Sequence, residues 1–116
     1  MSKFEDHIYT KLKELFPYTP IIRQLYINYE GTRLYFDFYI KGLNLYIECQ
    51  GTQHDKFTQY FHGNLFRFQE HKARDRLKYK YVNDNDGVLV YLYYSKHKDI
   101  SSSKLMEVIH AAYYTE

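Results

Sequence analysis

The stretch from Phe36 to His54, FDFYIKGLNLYIECQGTQH, sets two acids in an otherwise apolar pair of strands and follows them with a glycine bend and a histidine. Its alternation on either side of Gly42-Leu43 predicts an antiparallel hairpin turning on those two residues. In that register Phe36 faces Cys49, Phe38 faces Ile47 and Ile40 faces Leu45, which makes one face wholly apolar. The other face opposes Tyr35 to Gln50, Asp37 to Glu48 and Tyr39 to Tyr46. A slip of one residue would move every apolar side chain to the wrong side, so the pattern specifies its own register.

Carboxylates directly opposite one another have Cβ atoms roughly 4.5 to 5.5 Å apart, and like charges at that distance destabilise a sheet. A divalent cation between Asp37 and Glu48 removes the conflict. One or two carboxylates, completed by water and substrate phosphate, describe a Mg²⁺ or Mn²⁺ site better than a zinc site. The alternatives are a solvated pair on an exposed face, or one acid kept protonated. No basic residue stands opposite either acid in this register.

Outward from the hairpin, residues 3 to 16 read as a helix with Phe4, Ile8, Leu12 and Leu15 on one face and Glu5 at its edge, ending before Pro17. Strands are expected at about 22 to 29, 34 to 40 and 44 to 50, a helix at about 64 to 82, a strand at about 87 to 94 and a last helix at about 103 to 114. Asn83 to Gly87 reads as a loop and Ser101 to Ser103 as a helix start. The order αβββαβα, a three-strand meander followed by a helical crossover, implies an α/β fold with a mixed sheet flanked by helices. Leu105, Val108, Ile109 and Ala112 give the last helix a packing face.

Two segments resemble a known family. Asp37 followed by Glu48-Cys49-Gln50 is similar to the signature of the PD-(D/E)XK nuclease superfamily. IECQGTQH resembles the I-E-x-x-G-x-Q-H segment of small phage and homing-type endonucleases related to the very-short-patch repair endonucleases, and FDFYI…LNLYIE resembles their F-D-F-Y-L-P-x-x-N-L-x-I-E. Ser2-Lys3-Phe4-Glu5 is similar to the S-K-G-E that opens their first helix. The second half matches more loosely, through Arg74-Asp75-Arg76-Leu77-Lys78 and the run from Val88 to Tyr93. Three departures stand out: Phe4 replaces glycine, Gln50 stands where these relatives often carry aspartate, and no lysine fills the usual ExK position.

The resemblance implies a restriction-endonuclease-like core with Mg²⁺ or Mn²⁺ on Asp37, Glu48 and the backbone carbonyl of Cys49, and with Glu5 approaching from the first helix. Gln50 can only orient a water or phosphate by hydrogen bonding. His54, after the bend, is expected as general base or phosphate contact, with Gln53 beside it or simply holding the loop. Asp75 has two readings. Its position about 200° around the helix from Leu77 favours a solvated, ion-paired face, while the family's R-D at this place implies an orienting or catalytic role. Lys56, Arg67, Lys72 and Arg74 form a candidate strip for phosphate contacts.

At 116 residues the chain is expected to form one domain, residues 1–116, with a single core. Sixteen Lys plus Arg against 14 Asp plus Glu leave a net charge of +2, so contact with nucleic acid has to be local. A single cysteine excludes an internal disulfide framework and favours a reducing, cytoplasmic setting. No run of about 18 apolar residues predicts a membrane span, and no signal peptide is expected. Of the 15 tyrosines and 8 phenylalanines, Tyr60, Phe61, Phe66 and Phe68 are the candidates for base stacking, and core packing is the commoner use of such residues.

The expected activity is metal-dependent endonucleolytic hydrolysis of phosphodiesters in DNA, with phage or mobile-element origin implied by the resemblance alone. A non-catalytic nucleic-acid-binding or protein-interaction module is the alternative from another class. An RNA nuclease, or a junction-resolving homodimer, is the alternative within the same chemistry.

Overall fold

Ser2 starts the first helix by accepting the Glu5 amide on its Oγ at 3.1 Å. The computed structural model describes residues 2–51 and 65–114, with the backbone alone for residues 65–68. Helix α1, Lys3–Leu15, buries Phe4, Ile8 and Leu12 and stops at Phe16, whose amide bonds back to Leu12. Strands β1, Ile21–Tyr29, and β2, Thr32–Ile40, are joined through Glu30 and Gly31, both at positive φ. That is the twist a two-residue hairpin requires. Strand β3, Leu45–Gln50, is followed by helix α2, Leu65–Asp84, and by β4, Val88–Tyr93. A helical turn α3, Tyr94–His97, and helix α4, Ser102–Tyr113, complete the described chain.

The four strands form one mixed sheet in the order β1-β2-β3-β4, with β3 and β4 parallel and the other neighbours antiparallel. This is the mixed α/β architecture expected, with the same order of major elements. Strand β4 ends one residue early, because Tyr94 opens α3; there the Tyr93 amide donates to His97 Nδ1 at 2.9 Å. Helices α1 and α4 cover one face of the sheet, where Phe38, Ile40, Leu45, Ile47, Val90 and Leu92 form the main core. Helix α2 covers the other, where Val82 packs with Leu34, Phe36 and Tyr46.

Between β2 and β3 the register is as read: Phe38 opposes Ile47, Tyr39 opposes Tyr46 and Ile40 opposes Leu45. The link is longer than a two-residue turn. Lys41–Leu43 make a 3-10 turn and Asn44, not Gly42, takes the left-handed conformation at φ 50°. Asn44 earns its place by a second contact, accepting the Val88 amide at 3.0 Å and donating Nδ2 to Asn85 at 2.8 Å. Gly87 lies against this corner, where an added Cβ would stand 2.9 Å from the Tyr46 ring and 3.1 Å from the Asn44 carbonyl oxygen.

The second half of β2 departs from expectation. Phe36 does not share a face with Phe38 and Ile40, and the pairs Phe36 with Cys49 and Tyr35 with Gln50 are absent from the ladder. In a regular strand alternate residues share a face, yet Leu34 and Phe36 pack under α2 while Phe38 and Ile40 pack under α1 and α4. Strand β1 does the same: Ile21 packs on the main core, and Leu25, Ile27 and Tyr29 on the other. Both strands turn over where Gln24 stands opposite Asp37, a position without a ladder pair between Arg23↔Phe38 and Leu25↔Phe36. Gln24 has φ 54°, a conformation costing a non-glycine residue about 1 kcal/mol or more. The surrounding structure holds this local strain at the residue that faces Asp37.

Candidate active site

Turning over puts Asp37 between the two faces of the sheet. Its Oδ2 accepts the Cys49 amide at 2.7 Å, in place of a ladder bond, and its Oδ1 accepts from Gln24 Nε2 at 3.3 Å. From the first turn of α1, the Glu5 carboxyl comes close enough to Asp37 to interact with it; burial, then the charge of Asp37, raises its pKa, and Arg23 opposes the rise. On the other side Asp37 meets Glu48, so three carboxyl groups form a chain from Glu5 through Asp37 to Glu48. Asp37 and Glu48 interact and Glu5 approaches from α1, but Asp37 and Glu48 are not the ladder pair that the register predicts, because the β2–β3 pairing ends at Phe38 and Ile47.

Glu48 is 5% exposed, on a strand with neighbours on both sides. Burial pushes its carboxyl up to about 8, the negative charge of Asp37 adds to the rise, and Lys78 opposes it. Cys49 next to it is also affected: burial first, then Asp37, raises its thiol pKa, so it is a packed thiol rather than a nucleophile. Gln50, 8% exposed, ends the strand opposite Tyr93.

Helix α2 supplies the rest. His71, Asp75, Lys78 and Val82 follow at helical spacing, and the stripe they form is polar toward the N-terminus and apolar at Val82. Lys78 Nζ donates to Glu48 Oε1 at 2.8 Å and lies 5.7 Å from the centre of the Phe36 ring. Asp75 is half-buried, 3.9 Å from His71 Nε2. Together with Glu48 it adds to the effect of burial in raising the pKa of Tyr91, the β4 residue paired with Glu48. The ion pair expected of Asp75 is present, with His71 as its partner, but the side chain is half-buried rather than fully solvated. Leu77 does pack on the core, but the inward side of a helix is wide enough to include Asp75 as well. Burial lowers the pKa of His71, with Asp75 opposing.

Lys72 and Arg74 are exposed on α2. The expectations for Gln53, His54 and Lys56, for stacking by Tyr60 and Phe61, and for the side chains of Arg67, Phe66 and Phe68 lie outside the described residues. Sequence reasoning missed two contributors, Gln24 and Lys78. The signal for Lys78 was the empty ExK position itself, since a buried glutamate with no cation on its own strand needs one from a neighbouring element.

Among the described residues no three His, Cys, Asp or Glu side chains form a ready-made metal cage. The donor set is nonetheless suited to a hard cation. Asp37 and Glu48 supply carboxylate oxygens, whose present partners include the Lys78 ammonium and the Gln24 amide, and Mg²⁺ is commonly held through one or two carboxylates with water and phosphate completing its shell. No described helix is long and apolar enough to cross a membrane.

No family model matches the chain, and no solved structure matches it. Over 64 residues it is 41% identical to the uncharacterized protein 307L of Invertebrate iridescent virus 6. The match covers 55% of this chain and 32% of that protein, so the aligned part spans about a third of the viral relative.

Proposed function

We propose that the chain is a metal-dependent endonuclease that hydrolyses phosphodiesters in DNA on a PD-(D/E)XK-like core. The observation that carries this reading is the contact between Asp37 and Glu48, the latter almost wholly buried. A buried acid held against a half-buried one needs a proton or a cation beside it. Asp37, Glu48 and the Cys49 carbonyl would hold Mg²⁺ or Mn²⁺, which polarises a phosphodiester and promotes attack by water. Glu5 steadies Asp37 from α1. Gln50 orients a reacting group by hydrogen bonding, and His54 takes up a proton or binds phosphate. Lys56, Arg67, Lys72 and Arg74 contact the nucleic-acid backbone, and the enzyme works in the host cytoplasm.

A cleavage screen over duplex, single-stranded and branched DNA and over RNA, with Mg²⁺, Mn²⁺ or EDTA, tests this. Cutting of DNA that stops in EDTA and in Asp37→Asn is the expected result. Full activity in EDTA defeats the metal mechanism, cutting confined to RNA redirects the substrate, and preference for four-way junctions points to a resolving homodimer. One observation favours the second reading, a non-catalytic binding module: Lys78 already compensates Glu48. Binding of DNA without cutting, and without uptake of Mn²⁺, would establish that reading.

A further inference from the structure

The ion pair that favours the second reading has another meaning if the first is right. Glu48 is buried and Lys78 half-buried, with side-chain exposures of 7% and 16%, and their charged atoms are 2.8 Å apart. The lysine comes from a different element than the acids and reaches Glu48 across the ring of Phe36. Phe36 is there because β2 turns over at Asp37. The same irregularity that brings the carboxyls together therefore also builds the platform for the ammonium. An ammonium on Glu48 and a divalent ion on Glu48 compete for the same oxygens, and a flexible four-carbon stem lets the lysine leave without unfolding the helix.

We propose that Lys78 holds the seat of the metal ion: its ammonium compensates Glu48 until a divalent cation binds there, and it is then released toward the phosphate of the substrate. This rests on the nuclease reading and extends it, because it supplies from α2 the positive charge that β3 lacks at Gln50. A compact ammonium on a mobile stem suits both tasks, neutralising a carboxylate in one state and a phosphate oxygen in the other.

Two measurements on metal binding decide the matter without reference to turnover. Mn²⁺ titration followed by electron paramagnetic resonance should show Lys78→Met binding the ion about 5-fold tighter than wild type, since a competing charge has gone. Lys78→Arg should return toward the wild-type affinity. Acylation of Lys78 by a water-soluble amine reagent, read by peptide mass spectrometry on wild-type protein, should be slow in EDTA and several-fold faster with saturating Mg²⁺. This second measurement stands even if Lys78→Met fails to fold. Cleavage by Lys78→Met should fall by about 10²-fold at saturating Mn²⁺, as expected for loss of a charge aimed at the phosphate. Wild type that binds Mn²⁺, with Lys78→Met binding no tighter or Lys78 acylated no faster with Mg²⁺, overturns this inference and leaves the nuclease reading intact. Wild type that takes up neither ion brings down both.

Discussion

Helix α2 carries two lysines two residues apart, one bonded to a glutamate of the sheet and the other to a glutamate of the β1–β2 turn, and the two bridges have nearly the same length. Lys78 meets Glu48 at 2.8 Å and Lys80 meets Glu30 at 2.9 Å. The consequences for the acids are opposite. Glu30, with Lys80 and Tyr29 as hydrogen-bond partners in open solvent, has its pKa lowered. Glu48, with its lysine closer still, has its pKa raised because the loss of water outweighs the ion pair. The exposures of the partners, 16% and 7% against 56% and 60%, separate the cases where the distance does not. A short salt bridge describes geometry. Burial decides whether the carboxylate it contains is stable or in need of a further cation.

The largest expected effect is on the pH dependence of stability. Glu48 titrates near its usual 4.5 in the unfolded chain and at about 8 in the folded one. Between those values the folded protein holds a proton that the unfolded chain has released, so in EDTA stability falls as pH rises through that window. The fall is on the order of 5 kcal/mol at about 1.4 kcal/mol per unit. Denaturant titrations across the window should show this slope in wild type and a flatter one in Glu48→Gln. Millimolar Mg²⁺ should flatten the wild-type curve as well, since the ion replaces the proton and binds only the folded state. Equal slopes for wild type and Glu48→Gln would mean that Glu48 behaves like the exposed Glu30.

Next in size is the removal of the half-buried lysine. In Lys78→Met the carboxylate loses its compensating charge, which costs about 3 kcal/mol when the acid is ionised. At pH 5 Glu48 is protonated in the folded state and the cost should largely vanish. Unfolding midpoints at pH 5 and pH 9 check this. An equal loss at both would show that the lysine stem matters for packing over Phe36 and that its charge does not.

A smaller change sharpens the view from the other acid. Asp37→Asn keeps an oxygen that can accept the Cys49 amide while removing one of two like charges. In EDTA at about pH 9, where Glu48 is ionised in the folded state as well, it should match wild type or exceed it by about 0.2 to 1 kcal/mol. Added Mg²⁺ or Mn²⁺ should reverse the order, because wild type retains both charged ligands and gains more from binding. Thermal melts of both proteins decide it. A variant that is markedly weaker in EDTA would show that the carboxylate of Asp37 serves mainly to close the ladder gap at Cys49.

Much of this arrangement was legible in the chain. Three pairs of the β2 and β3 register and the helix start at Ser101 follow from alternation and capping chemistry, while the approach of Glu5 was implied by the family resemblance alone. The turn-over at Gln24 and Asp37 does not. Helices cover both faces of the sheet, so each face accepts aromatic residues, and the alternation of β2 runs on through Phe36 and Phe38 although the strand has changed sides. Helix α2 was legible as a helix, but its inward stripe was not. Apolar periodicity is the usual signal for a buried face, and here three of the four stripe positions, His71, Asp75 and Lys78, are charged or titratable.

The exposed bridge gives the smallest effect and the control on which the comparison depends. Lys80 donates to Glu30 and to the hydroxyl of Tyr29, which itself donates to Asp84 at 2.6 Å. These bonds raise the pKa of Lys80 and lower that of Glu30, so the bridge looks stronger than its buried neighbour. Water competes for each of these groups in both the folded and unfolded states, and salt screens what remains. Lys80→Met should therefore leave the unfolding midpoint at neutral pH within the scatter of surface substitutions, with any small loss disappearing in high salt. The sign with pH is the reverse of that for Glu48. Because the folded value of Glu30 lies below its unfolded one, the contribution of the bridge is present above about 4.5 and is lost as pH falls through the folded value. A destabilisation by Lys80→Met as large as that by Lys78→Met, or one unaffected by salt, would show that burial is not what separates the two bridges. Glu48 would then be no more in need of a further cation than the exposed Glu30.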